Sequence, residues 1–158
     1  MHKIAIGADI AGFELKEKIK AYLTQKKKYE ILDMGMYAAN EQIPYYEVAK
    51  KVAIKVQSGE AEKGIIFCGT GGGVSIVANK FKGVYATVVE SEFGGLHARV
   101  INNTNVLAMG GWVFSEYVAK RTIDLWLNSQ FTEGYAEIAD FLKKAAKEVE
   151  KIDHENMK

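Results

Sequence analysis

The chain has 158 residues, 48% of them hydrophobic and 26% charged, which suffices for one domain with a substantial core and is too short for two ordinary ones. With 21 basic and 20 acidic residues the formal charge is +1, so no global field points to nucleic acid or a membrane surface. One cysteine excludes an intrachain disulfide and fits a reducing cytoplasm, and neither a signal-like segment before Lys3 nor an apolar run of bilayer length is present.

In chain order, Lys3–Gly7 is an apolar run without alternation, as expected of a strand covered on both faces in a parallel sheet. It breaks at Ala8–Gly12, and Phe13, Leu15, Ile19, Tyr22 and Leu23 then recur at helical spacing to Gln25. Asp9 thus stands between a strand end and a helix start, where it either caps the helix or bonds a ligand above the sheet. Tyr29–Asp33 reads as a second strand, and the loop from Met34 to Ile43 has little periodicity. Pro44, the sole proline, opens a helix to about Ser58, since its fixed φ suits the first helical position. Ile65–Phe67 is a third strand, a helix runs from Val74 to near Lys80, and Gly83–Val89 is a fourth strand. Ser91 caps a helix over Glu92–Ile101, and Asn105–Met109 is the fifth strand. Helices follow over Ser115–Leu127 and Tyr135–Ile152, the last amphipathic, with an apolar face left for its own domain or a partner subunit. Strands alternating with helices imply right-handed βαβ units and an α/β fold, a Rossmann-like doubly wound sheet of about five parallel strands flanked by helices. Residues 1–134 carry that fold, and 135–158 form a C-terminal helix of the same domain suited to dimerisation.

The stretch from Gly64 to Ile76 concentrates the chemistry. A buried strand ends on Cys68, and glycines at 69, 71, 72 and 73 leave backbone N–H groups unshielded before a helix adds its own unpaired first-turn donors. An oxygen that becomes an anion is favoured there, and so is the thiolate of Cys68. Read from the residues alone, the alternatives stay open: a lone cysteine as a small core hydrophobe, and the glycines as plain turn-formers. The loop lacks the Gly-Lys-Ser/Thr ending of a nucleotide phosphate loop.

Several segments together resemble the ribose-5-phosphate isomerase B and galactose-6-phosphate isomerase family of aldose–ketose sugar isomerases. They are Lys3-Ile4-Ala5-Ile6-Gly7-Ala8-Asp9, Ala11-Gly12-Phe13-Glu14-Leu15-Lys16, Ser58-Gly59-Glu60-Ala61, Cys68-Gly69-Thr70-Gly71 through Gly73 and Ser75, Ala78-Asn79-Lys80, and Asn102 with Asn105-Val106-Leu107-Ala108. The resemblance spans roughly residues 3 to 130. It implies a homodimer or dimer of dimers with active sites between subunits, no metal and no nicotinamide or other cofactor. It also implies that Cys68 removes the proton beside the carbonyl and that Thr70 holds or shuttles the hydroxyl proton. By the same resemblance the N–H groups from Gly69 through Gly71, Gly72 and Gly73 to Ser75 form the anion hole, while Asp9 and Asn102 bind sugar hydroxyls.

The departures from the family pattern bear on the substrate. Ile10 stands where ribose-5-phosphate isomerases of this type have a His after the Asp, and Ile101 where they have the ring-opening His. Phosphate-binding arginines are replaced at Trp112 and around Tyr135–Ile138, and Tyr85 replaces a usual basic residue. His97, one turn before Ile101, is a candidate for ring opening; its plainer role is a surface or locally bonded histidine. Arg99 and Arg121 are possible anion ligands, and Trp112 and Tyr85 possible flat walls for a sugar ring. The expectation is an isomerase acting through an enediolate on a small-molecule sugar or sugar phosphate other than ribose 5-phosphate. The alternative is a catalytically inactive sugar-phosphate-binding or partner subunit of the same fold.

Overall fold

The apolar runs become strands and the periodic segments helices in the structure, a computed structural model that describes residues 1–157. In chain order these are β1 (His2–Ala8), α1 (Phe13–Gln25), β2 (Tyr29–Asp33), α2 (Tyr45–Gln57), β3 (Lys63–Cys68), α3 (Gly72–Ala78), β4 (Ala86–Val88), α4 (Glu92–Val100), β5 (Val106–Gly110), α5 (Glu116–Asn128) and α6 (Ala139–Asn156). The sheet order is β2-β1-β3-β5-β4, and every pairing is parallel. Because β2 lies on one side of β1 and β3 on the other, the winding reverses between β1 and β3. In such sheets the ligand crevice lies above the carboxyl ends of the two strands at the reversal, which here end at Ala8, just before Asp9, and at Cys68.

Alternation along each strand sorts the core into two layers. Ile4, Ile6, Ile65, Phe67, Leu107 and Met109 pack with residues of α1, α4 and α5, including Leu15, Ala98 and Trp126. Ala5, Ile66, Cys68, Val106 and Ala108 face α2 and α3, including Val52 and Val74. Cys68 therefore sits on the α2–α3 side. Among the described residues no helix is long and apolar enough to cross a membrane.

The third strand is longer than expected, Lys63–Cys68, and several ends move by a residue or two; three further boundaries differ for identifiable reasons. The fourth strand is shorter, Ala86–Val88, because side chains take over the backbone groups before it: Gly83 N–H donates to Asp153 Oδ2 (2.6 Å) and Tyr85 N–H to Asn105 Oδ1 (2.8 Å). The helix after Cys68 starts at Gly72 rather than Val74, since Gly71 takes the left-handed conformation (φ 85°) that ends the turn. The last helix starts at Ala139, after a single 3-10 turn over Ala136–Ile138, and runs on to Asn156. Its Leu142 and Asp153 are buried, while Phe141, Val149 and Ile152 are exposed.

Candidate active site

Three turns interlock above the carboxyl ends of β1, β3 and β5. Gly12 lies against the backbone of Phe67, where a Cβ would stand 2.7 Å from the carbonyl carbon, and a Cβ on Gly111 would collide with the Ala11 carbonyl oxygen. Gly111 N–H donates to Cys68 O (2.7 Å) and Trp112 N–H to Gly69 O (3.0 Å). The crest is thus built of backbone in direct contact with backbone, which leaves little freedom to the groups mounted on it.

On the β3 turn, Cys68 is buried and its Sγ accepts the Gly71 N–H at 3.1 Å. That bond strengthens when the sulfur carries charge. Thr70 is exposed, with its Oγ1 accepting from Gly72 N–H at 3.2 Å. Among the described residues the N–H groups of Gly73 and Val74 find no backbone acceptor, and Ser75 N–H closes back on Gly71 O (3.2 Å). Cys68, Gly69, Thr70, Gly71, Gly72, Gly73 and Ser75 are therefore one compact unit: a sulfur, a hydroxyl and free N–H donors.

Asp9 stands on the neighbouring turn. Its Oδ1 accepts from Ala11 N–H (3.0 Å) and Gly12 N–H (3.1 Å), which leaves Oδ2 without a protein partner among the described residues. Beneath it lies a group that the sequence pattern did not single out. Lys16 is fully buried, and its Nζ donates to both oxygens of Asp33 (3.0 and 3.1 Å), to Met36 O (2.5 Å) and to Glu17 (2.7 Å). Burial alone would raise the Asp33 carboxyl; hydrogen bonds from Lys20, the Gly35 N–H and Lys16 outweigh it and hold the carboxyl below its ordinary value. The strut ties the Gly35–Met36 loop to Ala8, through Ala8 N–H to Gly35 O and Met36 N–H to Ala8 O, both 2.7 Å. Ala8 immediately precedes Asp9.

Two aromatic rings border the loop. Trp112 is 77% exposed and lies over Gly69, where a Cβ would meet its ring at 2.7 Å. Tyr45 stands in the same relation to Gly73, at 2.8 Å. Trp112 was a candidate wall from the sequence; Tyr45 was not, and its position just after Pro44 at the start of α2 was the available signal. Tyr85, the other expected wall, lies before β4 at the opposite end of the sheet, with its hydroxyl donating to Asp153 Oδ2 (3.2 Å) and burial and Asp153 pushing it up to about 12.

Asn102 is not brought to Cys68 within one chain. It follows α4 and precedes β5, whose first residue Val106 pairs with Gly64, whereas Cys68 pairs with Gly110 at the far end. It lines a cleft of about 360 Å³ with Ile101, Asn79, Leu142 and Val149. His97 is likewise apart, in α4 on the other face of the sheet. Its Nδ1 is 2.8 Å from Phe93 O and its Nε2 2.6 Å from the Tyr135 hydroxyl, and its ring stacks on Phe93 at 3.8 Å. Arg121 is engaged by Glu92 at 2.6 and 3.1 Å, and Arg99 by Ser129 O and Asn103. No group of three or more His, Cys, Asp or Glu side chains suited to a metal ion occurs among the described residues.

A family model described as Ribose/Galactose Isomerase matches residues 4–144. A 4-deoxy-4-sulfo-D-erythrose isomerase of Clostridium sp. (strain MSTE9) is 43% identical over 152 residues, covering 96% of this chain and 95% of that protein. Ribose-5-phosphate isomerase B of Escherichia coli (strain K12) is 42% identical over 134 residues, covering 85% and 89%. Among solved structures, a ribose-5-phosphate isomerase B of Clostridium thermocellum superposes with a TM-score of 0.86 at 35% identity, covering 97% of this chain and 98% of that one.

Proposed function

The chain belongs to the ribose/galactose isomerase family, and we propose that it interconverts an aldose and a ketose through an enediolate, with Cys68 as base, on an acyclic four-carbon sugar ending in a sulfonate. The observation that carries the reading is the Cys68 sulfur under the Gly71 N–H, within a loop whose Gly73 and Val74 N–H groups lack acceptors.

The thiolate of Cys68 takes the proton from C2 of the aldose; the C–H electron pair forms the C1–C2 double bond and the carbonyl π pair moves onto its oxygen, which gives the enediolate. The oxygen that gains charge is held by the free N–H groups, a role that supplies several kcal/mol where donors are preorganised. Thr70 passes the hydroxyl proton from one oxygen to the other, and the Cys68 thiol returns its proton to C1. The product is the ketose, and the thiolate is restored. Asp9 Oδ2 accepts from a sugar hydroxyl, Trp112 and Tyr45 bound the carbon chain, and Asn102 reaches the substrate only across a boundary between two copies of the chain.

The substrate class follows from what such a sugar lacks. 4-Deoxy-4-sulfo-D-erythrose has no hydroxyl on C4, so its aldehyde cannot close a five-membered ring. An enzyme acting on it needs no ring-opening acid, which agrees with Ile101 at the family's histidine position and with His97 held by Phe93 and Tyr135. A sulfonate carries one negative charge where a phosphate monoester carries nearly two, which agrees with Trp112 and the arginine-free segment Tyr135–Ile138 at the expected arginine positions. Steady-state isomerisation of 4-deoxy-4-sulfo-D-erythrose, D-erythrose 4-phosphate and D-ribose 5-phosphate tests this. The sulfonate is expected to lead ribose 5-phosphate in kcat/KM by ~100-fold or more; equal rates would overturn the assignment. Thermal stabilisation by these sugars without turnover would identify a binding subunit instead.

A further inference from the structure

At the end of the sheet opposite Cys68, the starts of β1 and β3 and the segment after α5 border a cleft of about 370 Å³. Its wall carries Lys3, Lys28, Lys63 and Arg99, with His2 and Glu62 as the other titratable side chains beside Tyr29. The acids nearby are already engaged. Glu62 is taken by His2 at 2.9 Å, and Glu30 faces Lys3 at 3.8 Å. Lys28 donates to Asn128 Oδ1 at 2.7 Å.

Lys63 and Arg99 have no such partner. Lys63 opens β3 with its Nζ 4.8 Å from the centre of the buried Trp126 ring, and among the described residues it makes no hydrogen bond or ion pair. Arg99 spends Nε on Ser129 O (3.4 Å) and Nη1 on Asn103 Oδ1 (2.6 Å), neither of them charged, and its Nη2 is unassigned. Burial, reinforced by the Arg99 charge and opposed by Glu62, pushes Lys63 down to about 8, and burial lowers Arg99 as well. A ring face is a weak substitute for a counter-charge. Two partly desolvated cations sharing one concavity repel each other, an arrangement that folding alone does not favour and that an anion between them relieves.

We propose that this cleft binds a tetrahedral oxyanion, phosphate or sulfate in type, between Lys63 and Arg99, as a site separate from the Cys68 loop. Its concavity fits a small anion, and Arg99 Nη2 with the three donors of Lys63 Nζ matches the oxygens of such a group. The anion is either free in solution or the charged end of a sugar ester, and both present the same oxygens.

The test follows the Lys63 side chain by NMR in protein labelled with ¹³C at the lysine ε-carbon, titrated with base at fixed ionic strength. It is run in chloride alone, with inorganic phosphate, with inorganic sulfate and with D-ribose 5-phosphate. K63M assigns the signal. Phosphate or sulfate is expected to move the Lys63 midpoint upward by ~1 unit or more, equivalent to ~tenfold tighter binding when Lys63 is charged. Calorimetry on K63M, whose side chain keeps its place over Trp126, is expected to show phosphate affinity reduced ~tenfold or more. A response to ribose 5-phosphate stronger than to phosphate identifies the sugar ester as occupant. If chloride at equal ionic strength moves the signal as far as phosphate and sulfate do, or if K63M binds phosphate as the parent does, the site does not exist. K63R, which keeps the positive charge, assigns the same signal if K63M folds poorly, so the titration of the parent protein remains decisive.

Discussion

At the residue scale, the site depends on backbone conformations that only particular side chains allow. Gly71 combines a positive φ of 85° with a neighbour 3.1 Å from any added Cβ, the Met109 carbonyl carbon, and its own N–H faces Cys68 Sγ. Gly59 has a similar φ of 74° with open space around it. The two positions separate conformational strain from crowding. Gly59→Ala is expected to cost ~1 kcal/mol of unfolding free energy, the ordinary cost of the left-handed region, with activity unchanged. Gly71→Ala is expected to cost ~2 kcal/mol or more and to lower kcat at least ~tenfold, because the loop must shift to admit the methyl group. Denaturant unfolding and steady-state kinetics on the pair read both. Equal stability and activity in the two variants would show that the loop does not need Gly71. From the sequence this glycine was one of four in a row of loop positions; only the fold shows which of them carries the turn.

At the element scale, helices and strands were legible because their periodicities differ: short apolar runs gave the five strands, of which β1, β3 and β5 are the most buried, and 3.6-residue spacing gave the helices between them. Ends were less legible. β4 is short because Asp153 and Asn105, distant in sequence, take the backbone groups of Gly83 and Tyr85. The strut under Asp9 was invisible for the same reason, since Lys16 reads as one more charged position of an amphipathic helix until Asp33 and Met36 are folded onto it. Its consequence is a pH dependence. Asp33 is held below its ordinary value when folded, so the unfolded chain binds more protons between the folded value and about 4. The stabilisation is fully present above about pH 4 and is lost as pH falls through the folded value. Asp33→Asn is expected to be less stable by ~3 kcal/mol at pH 7 and to lose less stability than the parent on acidification. Urea unfolding at pH 7 and pH 3 measures both, and a parent protein with the same acid loss as Asp33→Asn would contradict the role given to the strut.

For the whole molecule, the winding of the sheet puts two candidate sites at its two ends. Asp9, Cys68 and Trp112 share the carboxyl end, while Asn102 and the Lys63–Arg99 cleft lie at the other. The residues of the first were legible as a group in the Cys-Gly-Thr-Gly motif, because they are contiguous. The position of Asn102 was not legible, since the end of the sheet it occupies is set by the register of β5 against β3, and its distance from Cys68 is the reason a second copy of the chain enters the proposed site. The exposed Phe141, Val149 and Ile152 of α6, next to the cleft that holds Asn102, agree with such a contact. The proposed isomerisation rests on proton transfer at Cys68. The most direct measurement is exchange of the C2 hydrogen of 4-deoxy-4-sulfo-D-erythrose with deuterium from solvent, followed by NMR for the parent, Cys68→Ala and Cys68→Ser. Exchange by the parent and a loss of at least ~1,000-fold in both folded variants is the expected result. Exchange by Cys68→Ala at the parent's rate would contradict the enediolate mechanism built on this residue.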